Sequence, residues 1–252
     1  MIYFFSDLDR TLIYSRRIAL NEKKIVVELL KGREQSYMTE KTYNFFASTT
    51  SIKLVPVTSR TEEQYSRVAN TFSNINCDLA LICNGSVLLE NGLISPAWSQ
   101  ESLALAEDEI TAFHRALQFA IESYFAENIV DTGNLLFYIK TSDPIETEQS
   151  LKAHSDLSKV LIYHDNRKVY CCPRSNNKGT ALRRLAKKLG VDNTIAAGDG
   201  IQDVPMLNAA RYAIVPSSLN SSISNPLKSV MTGPGCFSDF ICDELKRIPQ
   251  QQ

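Results

Sequence analysis

Two aspartates one residue apart, directly after a short apolar run, constrain this chain more than any other feature. The run Ile2 to Phe5 is β-branched and aromatic, which is typical of a strand buried on both faces. It leads into Asp7 and Asp9, whose side chains project from the same side of an extended chain. Two carboxylates at such a short distance repel each other unless a cation or a proton lies between them. We therefore predict a functional site at the end of this strand, with a helix-capping turn as the alternative.

A second apolar run also ends in polar residues. Ile52 to Val57 is followed by two hydroxyl residues, Thr58 and Ser59. Arg60 comes next and adds a guanidinium, and a helix start follows it. Hydroxyl groups and backbone N–H donors at a helix N-terminus suit an anionic oxygen, so this segment predicts a phosphate site. An ordinary helix cap is the alternative.

Lys178 stands at the start of an amphipathic helix that ends at Gly190. A cation at a helix N-terminus is poorly matched to the helix dipole, so we expect an anionic partner beside it. Thr194 to Ala197 is a further strand, and the carboxylates Asp199 and Asp203 follow it. In a doubly wound parallel sheet the carboxyl ends of the strands open on one crevice, where these groups would meet.

The four segments resemble the motifs of the haloacid dehalogenase (HAD) superfamily of phosphohydrolases. The matching residues are Asp7-Leu-Asp9-Arg-Thr11, Thr58, Lys178 and the stretch from Gly198 to Asp203. The resemblance covers nearly the whole chain and implies an α/β fold, a Rossmann-like core with a parallel sheet and an inserted, smaller α+β cap. It also implies a magnesium-dependent phosphatase that works through an aspartyl-phosphate, and its cap is similar to that of the Cof-type and sucrose-phosphate-phosphatase branch.

The resemblance implies a role for each matched residue. Asp7 would be the nucleophile, and Asp9 would protonate the leaving oxygen and later activate water. Thr58, with Ser59 beside it, and Lys178 would bind the phosphoryl oxygens.

The resemblance also implies a magnesium site. Asp7, Asp199 and the main-chain carbonyl of Asp9 would ligate Mg²⁺, with Asp203 in support. An all-oxygen, carboxylate-rich ligand set is the kind that Mg²⁺ prefers. The ion and Lys178 would offset the negative charge that keeps an anionic nucleophile from an anionic phosphate.

Three more residues bear on substrate binding. We expect Arg60 and Asn84 to contact the leaving group, although a plain turn explains Asn84 equally well. Arg10 stands where relatives have glycine. We expect its side chain to point outward, and contact with a substrate anion is the alternative.

The segment between the first two motifs is longer than the family usually has. Residues 24–38 predict a hairpin around Gly32, which would lie beside the first motif as a flap. A helix over residues 22–31 is the alternative.

The cap is predicted over residues 86–172, and it interrupts a core formed by 1–85 and 173–252. Within the cap we expect one long helix from Ser102 to Glu127, because apolar residues recur there at helical spacing. Strands and helices of this unit can bury a face of their own.

Composition excludes several classes of partner. The net charge of -1 gives no electrostatic footprint for nucleic acid. No apolar stretch approaches the roughly 20 residues of a membrane span. The six cysteines lack CxxC spacing and are expected to be reduced core residues of a cytoplasmic protein. The expected partner is a small phosphorylated metabolite, most readily a phosphosugar or a sugar-like ester.

Two other functions are compatible with these motifs. A phosphosugar mutase of the phosphomannomutase kind would return the phosphoryl group to a sugar instead of water. A non-enzymatic sensor of a phosphorylated metabolite would need phosphate ligands but neither Asp9 nor the metal aspartates, so their presence favours an enzyme.

Overall fold

The computed structural model describes residues 1–75 and 77–248. The strands, numbered along the chain, are β1 Ile2–Ser6, β2 Tyr14–Ser15, β3 Lys24–Leu30, β4 Arg33–Thr39, β5 Ile52–Pro56, β6 Leu79–Ile82, β7 Val87–Glu90, β8 Leu93–Ile94, β9 Ile129–Asp131, β10 Phe137–Lys140, β11 Val160–Asp165, β12 Lys168–Pro173, β13 Thr194–Ala197, β14 Tyr212–Pro216 and β15 Lys228–Met231. The α-helices are α1 Glu40–Ser48, α2 Glu62–Asn74, α3 Pro96–Leu105, α4 Ile110–Ser123, α5 Pro144–Ala153, α6 Lys178–Leu189, α7 Val204–Ala209 and α8 Phe237–Arg247. No helix in the described part of the chain combines the length and the apolar character needed to cross a bilayer.

A five-stranded parallel sheet lies at the centre of the fold, in the order β15-β14-β13-β1-β5. Successive residues of each strand point to opposite faces, so that Phe4 belongs to one buried cluster and Phe5 to another. Helices α1, α2 and α8 cover the first face, and α3, α6 and α7 cover the second. The sheet is therefore doubly wound, as predicted, and the carboxyl ends of its strands lie along one edge.

A second, antiparallel sheet has the order β11-β12-β10-β9. One face packs against α4 and α5 through a cluster that includes Phe113, Leu151 and Ile139. Tyr138 and Tyr170 lie on the opposite face and join the large cluster of the central sheet. This unit is the predicted α+β cap, and the α/β fold class is confirmed.

The hairpin predicted between the first two motifs is present. Strand β3 pairs with β4 in antiparallel register, and β2 extends this sheet along the other edge of β4. The register shifts at Glu28, where a bulge interrupts the ladder. The alternative of a helix over residues 22–31 is wrong, because the β-branched residues Ile25 and Val26 pair with Met38 and Tyr37 in the strand ladder.

The single helix predicted from Ser102 to Glu127 is wrong. Helix α3 begins earlier and ends at Leu105, and α4 begins at Ile110. Trp98 of α3 packs beneath the central sheet, whereas Phe113 of α4 packs on the cap sheet. The two helices thus bury their apolar faces in different cores, which a helical spacing of apolar residues cannot reveal.

A third antiparallel sheet has the order β6-β7-β8, in which β7 pairs with β6 on one edge and with β8 on the other. An isolated bridge between Val57 and Leu81 places β6 beside β5. The predicted boundaries, 1–85 with 173–252 for the core and 86–172 for the cap, stay a prediction.

Close packing of α6 on α7 gives a first test. A Cβ added at Gly179 would lie 2.3 Å from the carbonyl oxygen of Pro205. We expect Gly179→Ala to displace the first turn of α6 and to lower the free energy of unfolding by about 1–3 kcal/mol. Gly233→Ala is the matched control, because its Cβ would meet no atom within 4 Å, and its effect should stay within about 0.5 kcal/mol. Urea denaturation measures the free energy of unfolding of both variants. Equal stabilities of Gly179→Ala and Gly233→Ala would contradict the close packing of α6 on α7.

Candidate active site

The predicted site residues come together at the carboxyl edge of the central sheet. Asp7 follows β1, and Asp199 comes two residues after β13. Lys178 is the first residue of α6, and Asp203 directly precedes α7. The oxygens of the three aspartates that could serve as ligands all lie within 4.8 Å of one another.

Lys178 contacts two of the three aspartates in this cluster. Its side chain is fully buried, and Nζ lies 2.6 Å from Asp7 Oδ1 and 2.6 Å from Asp203 Oδ1. Burial opposes the charge of Lys178, but the two carboxylates outweigh it and raise the pKa of the ammonium. The anionic partner expected at the start of α6 is therefore present, and it is a pair of carboxylates.

Asp203 orders the loop that carries Asp199. Its Oδ2 accepts hydrogen bonds from the backbone N–H groups of Asp199 (3.1 Å) and Gly200 (3.0 Å). Gly198 leaves room for this carboxylate, since a Cβ there would lie 2.5 Å from the Asp203 Cβ. Asp203 thus connects Lys178 to the position of Asp199.

The cluster carries an excess of negative charge. Burial raises the pKa of Asp199 to about 6, and repulsion by Asp203 adds to that rise. Burial also raises the pKa of Asp7, where Lys178 opposes the effect and the other two aspartates reinforce it. The three carboxylates face two cations, the Lys178 ammonium and the Arg10 guanidinium, whose Nε lies 3.0 Å from Asp199 Oδ2. A divalent cation with oxygen ligands would balance the remaining negative charge. Asp7, Asp199 and Asp203 therefore fit the predicted metal site, while the part given to the Asp9 carbonyl stays a prediction.

Asp9 turns away from that cluster toward Arg60. Arg60 Nε and Nη2 donate to the two Asp9 carboxylate oxygens at 2.8 Å each, in a bidentate pair. Desolvation in the cleft would raise the pKa of Asp9, but the hydrogen bonds and charge of Arg60 prevail and lower it. About half of the Asp9 side chain is exposed (51%), whereas Arg60 is buried (9%). Without a further anion, Asp9 is therefore ionised at neutral pH.

Glu28, on the hairpin, fixes the position of Arg60. Its buried carboxylate accepts from Arg60 Nη2 (3.1 Å), Arg67 Nε (2.8 Å) and Ser36 Oγ (2.6 Å). The bulge in β3 falls at this residue, and bulges re-aim side chains. Sequence analysis missed Glu28, although a single carboxylate within an otherwise apolar strand was a usable signal.

Thr58 and Ser59, the predicted phosphate ligands, lie in different surroundings. Ser59 lines the cavity that contains Asp7 and Asp9. Thr58 is buried, its N–H donates to Leu81 O (2.9 Å), and its Oγ1 accepts the Arg60 N–H (3.2 Å). Their binding of phosphate stays a prediction.

Asn84 is not brought together with Asp7. It is buried, and its Nδ2 donates to Asn176 O at 3.3 Å. It lines a separate cavity of about 470 Å³, which has Gln202 in common with the Asp7 cavity. The predicted contact of Asn84 with the substrate stays a prediction.

Arg10 points into the site, so the expectation of an outward side chain is wrong. Its Nη2 lies 2.7 Å from Asp165 Oδ1 on the cap, and its Nε lies 3.0 Å from Asp199 Oδ2 on the core. The residue adopts a φ of 66°, where glycine is favoured. Its two ion pairs connect the cap to the core across the cavity.

The cap sheet covers the site with aromatic residues. The rings of Tyr138, Tyr170 and Tyr163 form a row, with centroids 5.4 Å and 5.3 Å apart. Tyr170 lines the cavity of about 560 Å³ that also contains Asp7 and Asp9. Sequence analysis missed this row, because only strand register reveals that the three residues lie on one face.

Comparison with known proteins identifies relatives. Residues 9–224 match the family described as haloacid dehalogenase-like hydrolases. A phosphoglycolate phosphatase from Methanobrevibacter smithii is 27% identical over 138 residues, which cover 50% of this chain and 58% of that protein. The match therefore spans less than two thirds of the relative's length.

Solved structures share the fold over almost the full chain. A sugar phosphatase of HAD subclass IIB has a TM-score of 0.64 at 12% identity and covers 99% of both chains. A sucrose-phosphatase from Synechocystis, solved with sucrose and phosphate, has a TM-score of 0.61 at 13% identity and covers 98% of both. At these identities the likeness concerns the fold, and it confirms the predicted Rossmann-like core with an inserted cap.

The pair between Asp9 and Arg60 gives a prediction that needs no substrate. Arg60→Gln removes the charge and hydrogen bonds that stabilise ionised Asp9, so the pKa of Asp9 should rise. The measurement is a ¹³C NMR titration of labelled aspartate carboxyls, with the Asp9 signal assigned through Asp9→Asn.

Arg67→Gln is the control for that titration, because Arg67 also donates to Glu28 but forms no hydrogen bond or ion pair with Asp9 among the described residues. It should leave the pKa of Asp9 near the wild-type value. A similar response to both substitutions would show that Arg60 acts on Asp9 only through Glu28.

Proposed function

Because this chain belongs to the haloacid dehalogenase-like hydrolase family, we propose that it is a phosphomonoester hydrolase that acts through an aspartyl-phosphate. One observation carries this proposal. The Asp7 carboxylate is held by buried Lys178 at the end of β1, and Asp9 opens into the same cavity two residues later. A nucleophile and an acid–base group at this spacing can reach different oxygens of one phosphoryl group.

The proposed reaction has two steps. An Asp7 oxygen attacks phosphorus, the bond to the ester oxygen breaks, and Asp9 gives its proton to that oxygen. Asp9 then accepts a proton from water as the water oxygen attacks phosphorus, and the bond to Asp7 breaks to release phosphate. Lys178 offsets negative charge beside the nucleophile throughout.

Asp9 must be protonated for the first step, although Arg60 lowers its pKa. The negative charge of a bound phosphoryl group works against that effect, because a nearby like charge raises a carboxyl pKa. Arg60 is also proposed to contact the leaving group. A contact between Arg60 and the leaving group weakens the pair between Arg60 and Asp9. Substrate binding therefore favours protonation of Asp9.

Mg²⁺ is the proposed cofactor, held by Asp7, Asp199 and Asp203 with the Asp9 carbonyl. When bound, it would neutralise charge on the phosphoryl oxygens. The proposal is supported by the clustering of these carboxylates and by the excess negative charge around Lys178.

The proposed substrate is a small phosphosugar or sugar-like ester. The relatives support this class, since they include a sugar phosphatase, a sucrose-phosphatase and a phosphoglycolate phosphatase. Tyr170 on the cap offers an aromatic surface on the wall of the cavity that contains Asp7 and Asp9, which we name the reaction cavity. The ion pair from Arg10 to Asp165 holds the cap over that cavity, where exclusion of bulk water favours the chemistry.

Replacement of the nucleophile tests the proposal. Asp7→Asn should lower phosphate release from p-nitrophenyl phosphate and from sugar phosphates, in the presence of Mg²⁺, by about a thousandfold or more. Phosphate release also separates hydrolysis from transfer to a second sugar. Circular dichroism should show a folded protein, because Lys178 keeps Asp203 as a partner.

Asp108→Asn, at an exposed position between α3 and α4, is the control for that experiment and should retain wild-type turnover. Wild-type turnover in Asp7→Asn itself would contradict the assignment of the nucleophile.

A further inference from the structure

A second, larger cavity adjoins the reaction cavity. It has a volume of about 1040 Å³, and Arg17, Lys140, Arg167 and Lys168 line it together with Glu122. Arg17, Arg167 and Lys168 also line the cavity that contains Asp7 and Asp9. A molecule with its phosphoryl group at Asp7 can therefore extend into this neighbouring space, which we name the basic cavity.

Within the described residues, the cations of the basic cavity form no ion pairs, although the Asp9 carboxylate is near enough to attract the Lys168 ammonium. Among residues 1–75 and 77–248, no carboxylate lies within ion-pair distance of Arg17, Lys140, Arg167 or Lys168. The one acid of the lining, Glu122, is exposed and accepts from Gln118. The cavity therefore carries more positive charge than the carboxylates near it balance.

The reaction cavity is different in this respect. Arg10 pairs with Asp165 and Asp199, and Arg60 pairs with Asp9 and Glu28. Paired cations need no ligand, whereas unpaired cations in a shared cavity repel one another. The contrast favours the basic cavity as a place where a further anion can bind.

Strand register strengthens the argument. Lys140 and Lys168 stand directly opposite each other on β10 and β12. Like charges in such cross-strand pairs are destabilising. The Lys168 ammonium also lies 4.5 Å from the centre of the Tyr138 ring, and the side chain is only partly exposed. The Tyr138 ring attracts this ammonium, and Asp165 stands opposite Lys168 on β11 but pairs with Arg10. An anion bound beside Lys140 and Lys168 would offset the repulsion that remains between the two ammonium groups.

Burial lowers the pKa of Lys168; attraction by Asp9 and Asp165 opposes that decrease, and repulsion by Arg60 and Lys140 adds to it. An added anion would favour the charged ammonium, as an opposite charge does for any cation.

We infer that the basic cavity binds a second anionic group, a phosphate or a carboxylate, on the leaving group of the substrate. This inference rests on the proposed hydrolase function and narrows its substrate class. The enzyme should act on esters that carry an anion in addition to the scissile phosphate.

Two substrate pairs test the inference with Mg²⁺ present. Glycerol 3-phosphate against 3-phosphoglycerate adds a carboxylate, and fructose 6-phosphate against fructose 1,6-bisphosphate adds a phosphate. The wild-type kcat/KM should favour the doubly anionic member of at least one pair by about tenfold or more, as expected for charge-assisted hydrogen bonds. The pair with the larger ratio identifies the anion.

Lys168→Gln should reduce that ratio by about tenfold. The ratio compares two substrates on the same variant. A loss of folded or active enzyme lowers both kcat/KM values equally and therefore leaves the ratio unchanged. Lys187→Gln, at an exposed position of α6, is the matched control and should preserve the ratio. A ratio near one in the wild type, or one unchanged by Lys168→Gln, overturns the inference and leaves the hydrolase function intact.

A binding measurement tests anion binding in the basic cavity separately from the hydrolase function. Calorimetry on Asp7→Asn with the same compounds should show tighter binding of the doubly anionic member, and Lys168→Gln in this background should remove the difference. If the wild type hydrolyses none of the esters, the hydrolase proposal fails. The binding comparison then tests, independently of hydrolysis, whether the basic cavity binds a second anion. Equal affinities within both pairs of compounds would overturn that inference.

Discussion

The arrangement of the site depends on one buried cation. Lys178 lies entirely within the protein and keeps its charge because Asp7 and Asp203 each approach its Nζ to 2.6 Å. A buried ammonium without such partners would be strongly destabilising. These ion pairs therefore hold together three segments that are far apart in sequence, and through the backbone contacts of Asp203 they also position Asp199.

A second network orients Asp9, the proposed acid–base residue. Glu28 on the hairpin holds Arg60, and Arg60 holds Asp9. The hairpin between the first two motifs is thus more than a cover for the cavity, because its buried carboxylate sets the position of the guanidinium that controls the protonation of Asp9. The cap adds a third connection through Asp165 and Arg10.

The sequence predicted what depends on local pattern and on sheet geometry. Short apolar runs before Asp7, Thr58 and Asp199 predicted parallel strands, and the common edge of such strands explains why these residues meet. The misfit of Lys178 with its helix dipole correctly predicted an anionic partner. Near the site, the fold and the principal charged cluster were therefore readable from the sequence.

What the sequence did not predict depends on contacts between distant segments. Neither the pairing of Glu28 with Arg60 nor the inward side chain of Arg10 has a local signature. The break between Leu105 and Ile110 was missed because the apolar spacing continues although the two helices pack on different cores. The basic cavity combines Arg17 from a loop with residues of three cap segments, so only the folded chain reveals it.

The central claim is that Asp7, Asp199, Asp203 and Lys178 form one centre that holds a single divalent cation. The most direct test is a titration with Mn²⁺, in which electron paramagnetic resonance measures the free ion and Mg²⁺ competes for the site. The account predicts one ion per wild-type chain, displacement by Mg²⁺, and loss of binding in Asp199→Asn but not in Asp108→Asn. Absence of binding to the wild type, or unchanged affinity in Asp199→Asn, would contradict it.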